Sequence, residues 1–200
     1  MKKNIWDFYA PIYNLFISPN AKAYNKICDN IKKVIKDKKV LEIATGTGII
    51  AKKVADFSNE MIATDFSTGM INQAKKKNTH KNLSFEVADA TSLPYNAETF
   101  DIVIISNALH IIPDVKKAMS EIKRVLKTDG ILIAPNFIHK DSDENRKLWS
   151  KLLSLAKIDF QRHWKESDYQ TFLENHGFTV TKTEIHQGFI PIMYSECKKN

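Results

Sequence analysis

Three acidic side chains stand at places where short apolar runs give little reason for charge: Glu42, Asp65 and Asp89. Glu42 lies inside the run 40–44, where an unpaired carboxylate is expensive, so it is expected to face a cation or a set of donors. Asp65 closes the run 61–65, 19 residues after Gly46. A carboxylate so placed accepts both hydrogen bonds of a ribose diol. Asp89, followed by Ala90, can accept from an exocyclic adenine amine. Between the first run and the helix after it lies Ala44-Thr-Gly46-Thr-Gly48, and glycine permits backbone conformations and close ligand approach that other residues block. Phe66 and Met70 follow Asp65 and can sandwich a purine ring. Each feature has a plainer reading when isolated: the two glycines as a turn that starts a helix, Asp89 as a cap, Phe66 and Met70 as core. Taken together, carboxylates at three successive strand positions describe a pocket for an adenosine joined to something positively charged.

Periodicity supplies the elements that must position these residues. Apolar runs at 40–44, 61–65, 83–89, 100–107 and 131–134 read as strands, and the unbroken centre of the fourth fits a strand buried on both faces of a parallel sheet. Helices are expected over 20–36, 46–57, 68–77 and 114–127, with Tyr24, Ile27, Cys28, Ile31, Val34 and Ile35 on one face of the first. Residues 141–175 read as polar and helical, with Trp149, Leu152, Leu153, Phe160, Trp164, Tyr169 and Phe172 as anchors. Strands at 179–186 and 190–197, joined by Gln187-Gly188, form a closing hairpin. Strict alternation implies an open α/β sheet with right-handed crossovers. Ligands in such a sheet bind beyond the carboxyl ends of the strands, where strand order reverses.

The 200 residues suggest one domain, and 43% hydrophobic with 26% charged residues describe a globular chain. Two cysteines, Cys28 and Cys197, form neither a disulfide framework nor a zinc finger, and their scarcity fits a reducing, cytoplasmic setting. Asp7, Pro11 and Asn14 interrupt what would be the apolar core of a signal peptide, and no run is long enough to span a bilayer as a helix. The net charge of +7 comes from lysines dispersed in pairs, with one triplet at 75–77. A nucleic-acid footprint should cluster on one face, so nucleic acid is disfavoured as a partner.

The residues 40–48, Asp65, Asp89-Ala90, 100–110 and 126–130 resemble the motif series of the class I S-adenosylmethionine-dependent methyltransferases. The likeness covers about 38–137, and the hairpin resembles that family's antiparallel last strand. The opening Trp6-Asp-Phe-Tyr-Ala-Pro-Ile-Tyr-Asn14 is more distantly similar to small bacterial phospholipid N-methyltransferases and quinone C-methyltransferases. The resemblance implies a Rossmann-like, seven-stranded, mostly parallel sheet with helices on both faces, binding S-adenosyl-L-methionine. It divides the chain into a lid region (1–36), a cofactor-binding core (38–137), a helical insertion on the acceptor side (138–178) and the hairpin (179–200). By the same resemblance Glu42 serves the methionine amino end through water or backbone. Gly46 and Gly48 allow close backbone approach, with Ala44 standing where the family often has glycine. Asp65 binds the ribose, Phe66 and Met70 flank adenine, and Asp89 and the Ala90 amide read its edge. Ser106 or Asn107 faces the methionine moiety, while Tyr9 and Tyr13 close over the cofactor. Tyr13-Asn14 replaces a more usual tyrosine–aspartate pair.

Methyl transfer is an in-line displacement at a carbon activated by positive sulfur, so orientation is the protein's main task. His110, just past the fourth strand, is the candidate base where an acceptor must lose a proton; the plain alternative is a structural histidine before Pro113. The sequence Ser106-Asn-Ala-Leu109 lacks the Asn-Pro-Pro-aromatic tetrad of enzymes acting on adenine or glutamine amino groups. Neither cysteine follows a proline after that strand, which disfavours attack on cytosine. Trp6, Phe8, Tyr9, Tyr13 and Phe16, with 141–175, favour a small or amphipathic, lipid- or quinone-like acceptor and at most peripheral membrane contact. No metal site is expected. Two rival readings stand beside this one: a nicotinamide-dependent oxidoreductase, since Gly46-x-Gly48-x-x-Ala51 also fits a dinucleotide fingerprint, and a cofactor-binding regulator without turnover. Glu42 near a diphosphate argues against the first.

Overall fold

The computed structural model describes residues 5–76, 78–139 and 162–200. Eight strands form one sheet: β1 (Lys39–Ile43), β2 (Glu60–Asp65), β3 (Leu83–Val87), β4 (Phe100–Ile105), β5 (Leu126–Ile133), β6 (Asn136–Phe137), β7 (Phe178–His186) and β8 (Ile192–Lys199). β3, β2, β1, β4 and β5 run parallel in that order, and β8 pairs antiparallel with β5, β6 and β7. β6 is two residues long and prolongs the β5 edge along β8, which is why eight strands stand where seven were expected. From β1 the chain steps outward to β2 and β3, then crosses to β4 on the other side. The reversal point therefore lies between the carboxyl ends of β1 and β4.

Alternation along the strands builds a core on each face. Val40, Ile102 and Ile104 pack with Ile27, Ile31, Ile50 and Val54 on one side. Leu41, Ile43, Val103 and Ile105 pack with Ile122, Val125, Tyr169 and Leu173 on the other. Such strands need apolar residues at successive positions, and β4 has them from Ile102 to Ile105. The first face carries α3 (Ala21–Val34), α4 (Ile49–Val54) and α5 (Thr68–Lys75); the second carries α6 (Val115–Val125) and α7 (Glu166–Asn175). In α6, Val115, Ala118, Met119, Ile122 and Val125 form the buried stripe, and the Asp114 side chain caps its start by accepting from the Lys117 amide.

Two short helices, α1 (Ile5–Tyr9) and α2 (Tyr13–Ile17), precede α3. The expected strand 131–134 is longer at its start, but pairing jumps from Phe100–Leu126 to Ile102–Ile131, so 127–130 bulges out of the ladder. The last strand begins two residues later than read from sequence, at Ile192. Of the expected helical stretch 141–175 the structure describes only 162 onward, with α7 inside it. Trp149, Leu152, Leu153 and Phe160 lie outside the described residues. No helix among the described residues is long and apolar enough to cross a membrane, and no group of three or more candidate metal ligands occurs among them.

Candidate active site

A cavity of about 610 Å³ opens beyond the carboxyl ends of β1, β2 and β4, within the size range of small-molecule sites. Ala44, Gly46, Asp65, Phe66, Met70, Asp89, Ala90, Ser106, Asn107 and His110 line it from the sheet side, and Trp6, Tyr9, Tyr13 and Phe16 from the N-terminal segment. Eleven of the thirteen residues expected to hold a cofactor thus meet in one cleft, as does the candidate base. Glu42 and Gly48 are not in its wall.

The loop after β1 explains the spacing of its small residues. Ala44, Gly46 and Gly48 have φ of 56°, 59° and 77°, so every second residue is left-handed. Glycine takes that conformation without cost, and alanine does not. At Gly46 a Cβ would come within 3.3 Å of the Tyr13 ring. Gly48 begins α4, and a Cβ there would lie 2.8 Å from the Phe85 ring beneath, so its bareness seats the helix on the sheet.

Glu42 is also placed differently from expectation. It shares a face with Val40, so its side chain lies under α4 and only 2% of the residue is exposed. Its Oε2 accepts from the Thr45 hydroxyl at 2.8 Å, and the Ala51 amide also donates to the carboxyl. Burial pushes its pKa up to about 8, with the Asp65 charge adding and the two donors opposing. It therefore meets the expected donor array and carries no full charge at neutral pH. The argument that its charge repels a diphosphate does not hold.

Asp65 is braced on both oxygens. The Gly46 amide donates to Oδ2 at 2.8 Å and the Ser67 amide to Oδ1 at 2.9 Å. Burial raises its pKa, and these two amides pull it down. Each oxygen retains acceptor capacity for a diol hydroxyl. Beyond it Phe66 is 60% exposed and Met70 is buried, both on the cavity wall. Asp89 is exposed, and its Oδ1 accepts from the amide and hydroxyl of Thr91, each at 2.8 Å. The plain cap reading is therefore part of its role, beside its place in the wall.

At the reversal point Asn107 takes φ 50°, and its amide donates to the Pro135 carbonyl at 2.8 Å. Its Nδ2 donates to the Tyr24 hydroxyl at 2.9 Å. Its Oδ1 has no hydrogen-bond partner among the described residues, although Asn107 is only 9% exposed. A buried acceptor left unpaired costs roughly 1–3 kcal/mol. His110, 4% exposed, places Nδ1 3.1 Å from Asn136 Oδ1, which makes Nδ1 the protonated nitrogen. Burial lowers its pKa to about 4. Arg162 donates to the Ile112 carbonyl at 3.0 Å and so fixes the loop that carries His110.

Tyr24 and Asn136 escaped the sequence reading. Tyr24 was read as part of an apolar stripe, although its hydroxyl was a signal. Asn136 stands just past β5, beyond the strands whose tips carry the acidic residues.

A Rossmann-like sheet with small residues after β1, a braced carboxylate after β2 and a polar reversal point fits the arrangement that the resemblance to the class I S-adenosylmethionine-dependent methyltransferases implies. Residues 41–134 match the family model of the methyltransferase domain. This chain is 35% identical over 118 residues to the demethylmenaquinone methyltransferase of Renibacterium salmoninarum, covering 59% of this chain and 49% of that protein. The chain thus spans about half the length of that curated relative. Among solved structures, a Haloferax volcanii chain in complex with the Trm112 methyltransferase activator superposes with a TM-score of 0.79 at 16% identity, over 98% of both chains. A SAM-dependent methyltransferase from Thermotoga maritima gives 0.75 at 19%, over 97% of this chain and 99% of that one.

Proposed function

We propose that the protein transfers a methyl group from S-adenosylmethionine to a small, amphipathic, quinone-like acceptor. The observation that carries the reading is the convergence of Asp65, Phe66, Met70, Asp89 and Asn107 on one cleft. The residues fit the cofactor: a diol acceptor, an aromatic and a thioether wall, an edge acceptor, and a polar side chain at the reversal point. When bound, S-adenosylmethionine supplies an electrophilic methyl group. The chain's own part is orientation and exclusion of water. Asp65 fixes the ribose, Phe66 and Met70 hold the adenine, Asp89 and the Ala90 amide read its edge, and Ser106 and Asn107 hold the methionine end. Gly46 lets the backbone approach, with Ala44 beside it. Tyr9 and Tyr13 cover the site from the lid.

The acceptor reading rests on the other cavity wall, where Phe16, Ile17, Ile111, Ile112, Phe137 and Phe189 make an apolar chamber. His110 is a polar residue on the cavity wall beside it. A pKa near 4 keeps its imidazole neutral at physiological pH, with Nδ1–H held by Asn136 and Nε2 the acceptor nitrogen. It accepts a hydrogen bond or a proton from the acceptor molecule, and Asn136 orients it. The similarity to a demethylmenaquinone methyltransferase supports a quinone-like acceptor. The two buried, free cysteines fit a cytoplasmic setting. The test is a methyl-release assay against demethylated quinols, phospholipids and small amines. Turnover confined to quinols is expected. Tight cofactor binding with no turnover on any acceptor would favour a regulator. His110→Ala is expected to cut turnover while sparing cofactor affinity.

A further inference from the structure

The N-terminal segment reaches the cavity by crossing the start of α5, and the contact is built from both sides. Asp7 Oδ1 accepts from the Ser67 hydroxyl at 2.5 Å and from the Gly69 amide at 2.8 Å. Ser67 is also the cap of α5, its Oγ accepting from the Met70 amide at 3.1 Å, and its own amide braces Asp65. Asp7 is therefore one residue removed from the carboxylate assigned to the ribose. The carboxylate also lies at the positive end of α5, which favours it. From the other side, a Cβ on Gly69 would sit 2.8 Å from the Asp7 Cα and 3.1 Å from its carbonyl oxygen, so only glycine lets the backbones approach this closely. Further along, Asn14 Oδ1 accepts from the Thr47 hydroxyl at 2.6 Å, and Asn20 exchanges bonds with the backbone of Ile190. Tyr9 and Tyr13, which line the cavity, hang between these anchors, and Trp6, which also lines it, stands next to the first.

We propose that Asp7 is a positioning residue for cofactor binding: it latches the N-terminal segment to the start of α5 and so holds Trp6, Tyr9 and Tyr13 over the nucleoside end of the cleft. The inference rests on the adenosyl reading of that cleft. Both donors of the latch converge on one carboxylate oxygen, Oδ1.

Three variants test it, with S-adenosylhomocysteine as the probe. Loss of two bonds to a carboxylate is expected to weaken binding in Asp7→Ala by about tenfold or more. Gly69→Ala, which leaves Asp7 intact, is expected to do the same by steric exclusion. Asp7→Asn keeps an acceptor oxygen and is expected to stay within about threefold of the wild type. Amide exchange over residues 5–17 of the free protein is the second readout: faster in Asp7→Ala and Gly69→Ala, unchanged in Asp7→Asn. Unchanged affinity and exchange in the first two variants would overturn the proposal, and so would Asp7→Asn behaving like Asp7→Ala. Thermal melts separate a folding defect from a lost latch, and Asp7, on the peripheral segment, is expected to leave the melt of the core unchanged. If the wild type fails to bind the probe while the exchange pattern is as expected, the adenosyl reading fails and the latch stands.

Discussion

Two buried titratable side chains give opposite pH signatures. The folded protein keeps a proton on Glu42 up to about 8, whereas an unfolded glutamate releases it near 4.3. The folded state therefore binds more protons across that window, and stability falls as pH rises from about 4.5 to about 8. Glu42→Gln keeps the oxygen that takes the Thr45 hydroxyl and removes the slope. In urea melts it is expected to be more stable than the wild type at pH 8, by a few kcal/mol, and to converge with it near pH 4. His110 works in the other direction. Its folded pKa near 4 lies below the free value near 6.5, so stability falls as pH drops through that interval, and the full effect is about 3 kcal/mol. His110→Gln is expected to flatten that acid limb. A variant that keeps the wild-type slope would show that the imidazole is not buried neutral. The sequence exposed both residues by type and position. It did not show which way Glu42 faces, because that follows from strand parity under α4 and from a helix start that supplies donors.

At the scale of elements, the turn after β1 is the part whose sequence and shape agree most closely. Three left-handed residues, spaced by two, require small side chains at 44, 46 and 48. Gly48→Ala is expected to destabilise the fold by about 1–3 kcal/mol, from the left-handed backbone and the Phe85 contact together. Ala44→Gly relieves a left-handed alanine but loosens the unfolded chain, so its effect is expected to stay within about 1 kcal/mol. Denaturant midpoints check both. The strands were legible because both faces are buried and the apolar runs are unbroken, as in 102–105. The N-terminal anchors were not. Asp7 meets residues 60 and 62 positions away, Asn20 one 170 away, and Tyr24 pairs with Asn107 across 83. Local periodicity carries no information about such pairings, and a polar residue in a short helix looks like solvated surface until its partner is placed.

Over the whole molecule, the sheet order puts the ends of β1 and β4 at the reversal point and antiparallel β8 between β5 and β7. Strand alternation foretold the parallel part. The two-residue β6 was hidden because Pro135 and Asn136 interrupt the apolar run, although the chain continues along the same neighbour. On the proposed reading the nucleoside lies on the β2–β3 side and the acceptor in the apolar chamber, with Asn107 and His110 between them on the cavity wall. A fold of this kind hosts many chemistries, and the particular one rests on what the acidic strand tips bind. Titration calorimetry on the wild type and on Asp65→Ala, with S-adenosylmethionine and with NADH, measures that directly. The account predicts that S-adenosylmethionine binds the wild type, that Asp65→Ala abolishes the binding, and that NADH gives no heat. Binding of NADH in place of S-adenosylmethionine, or an Asp65→Ala protein with undiminished affinity, would contradict it.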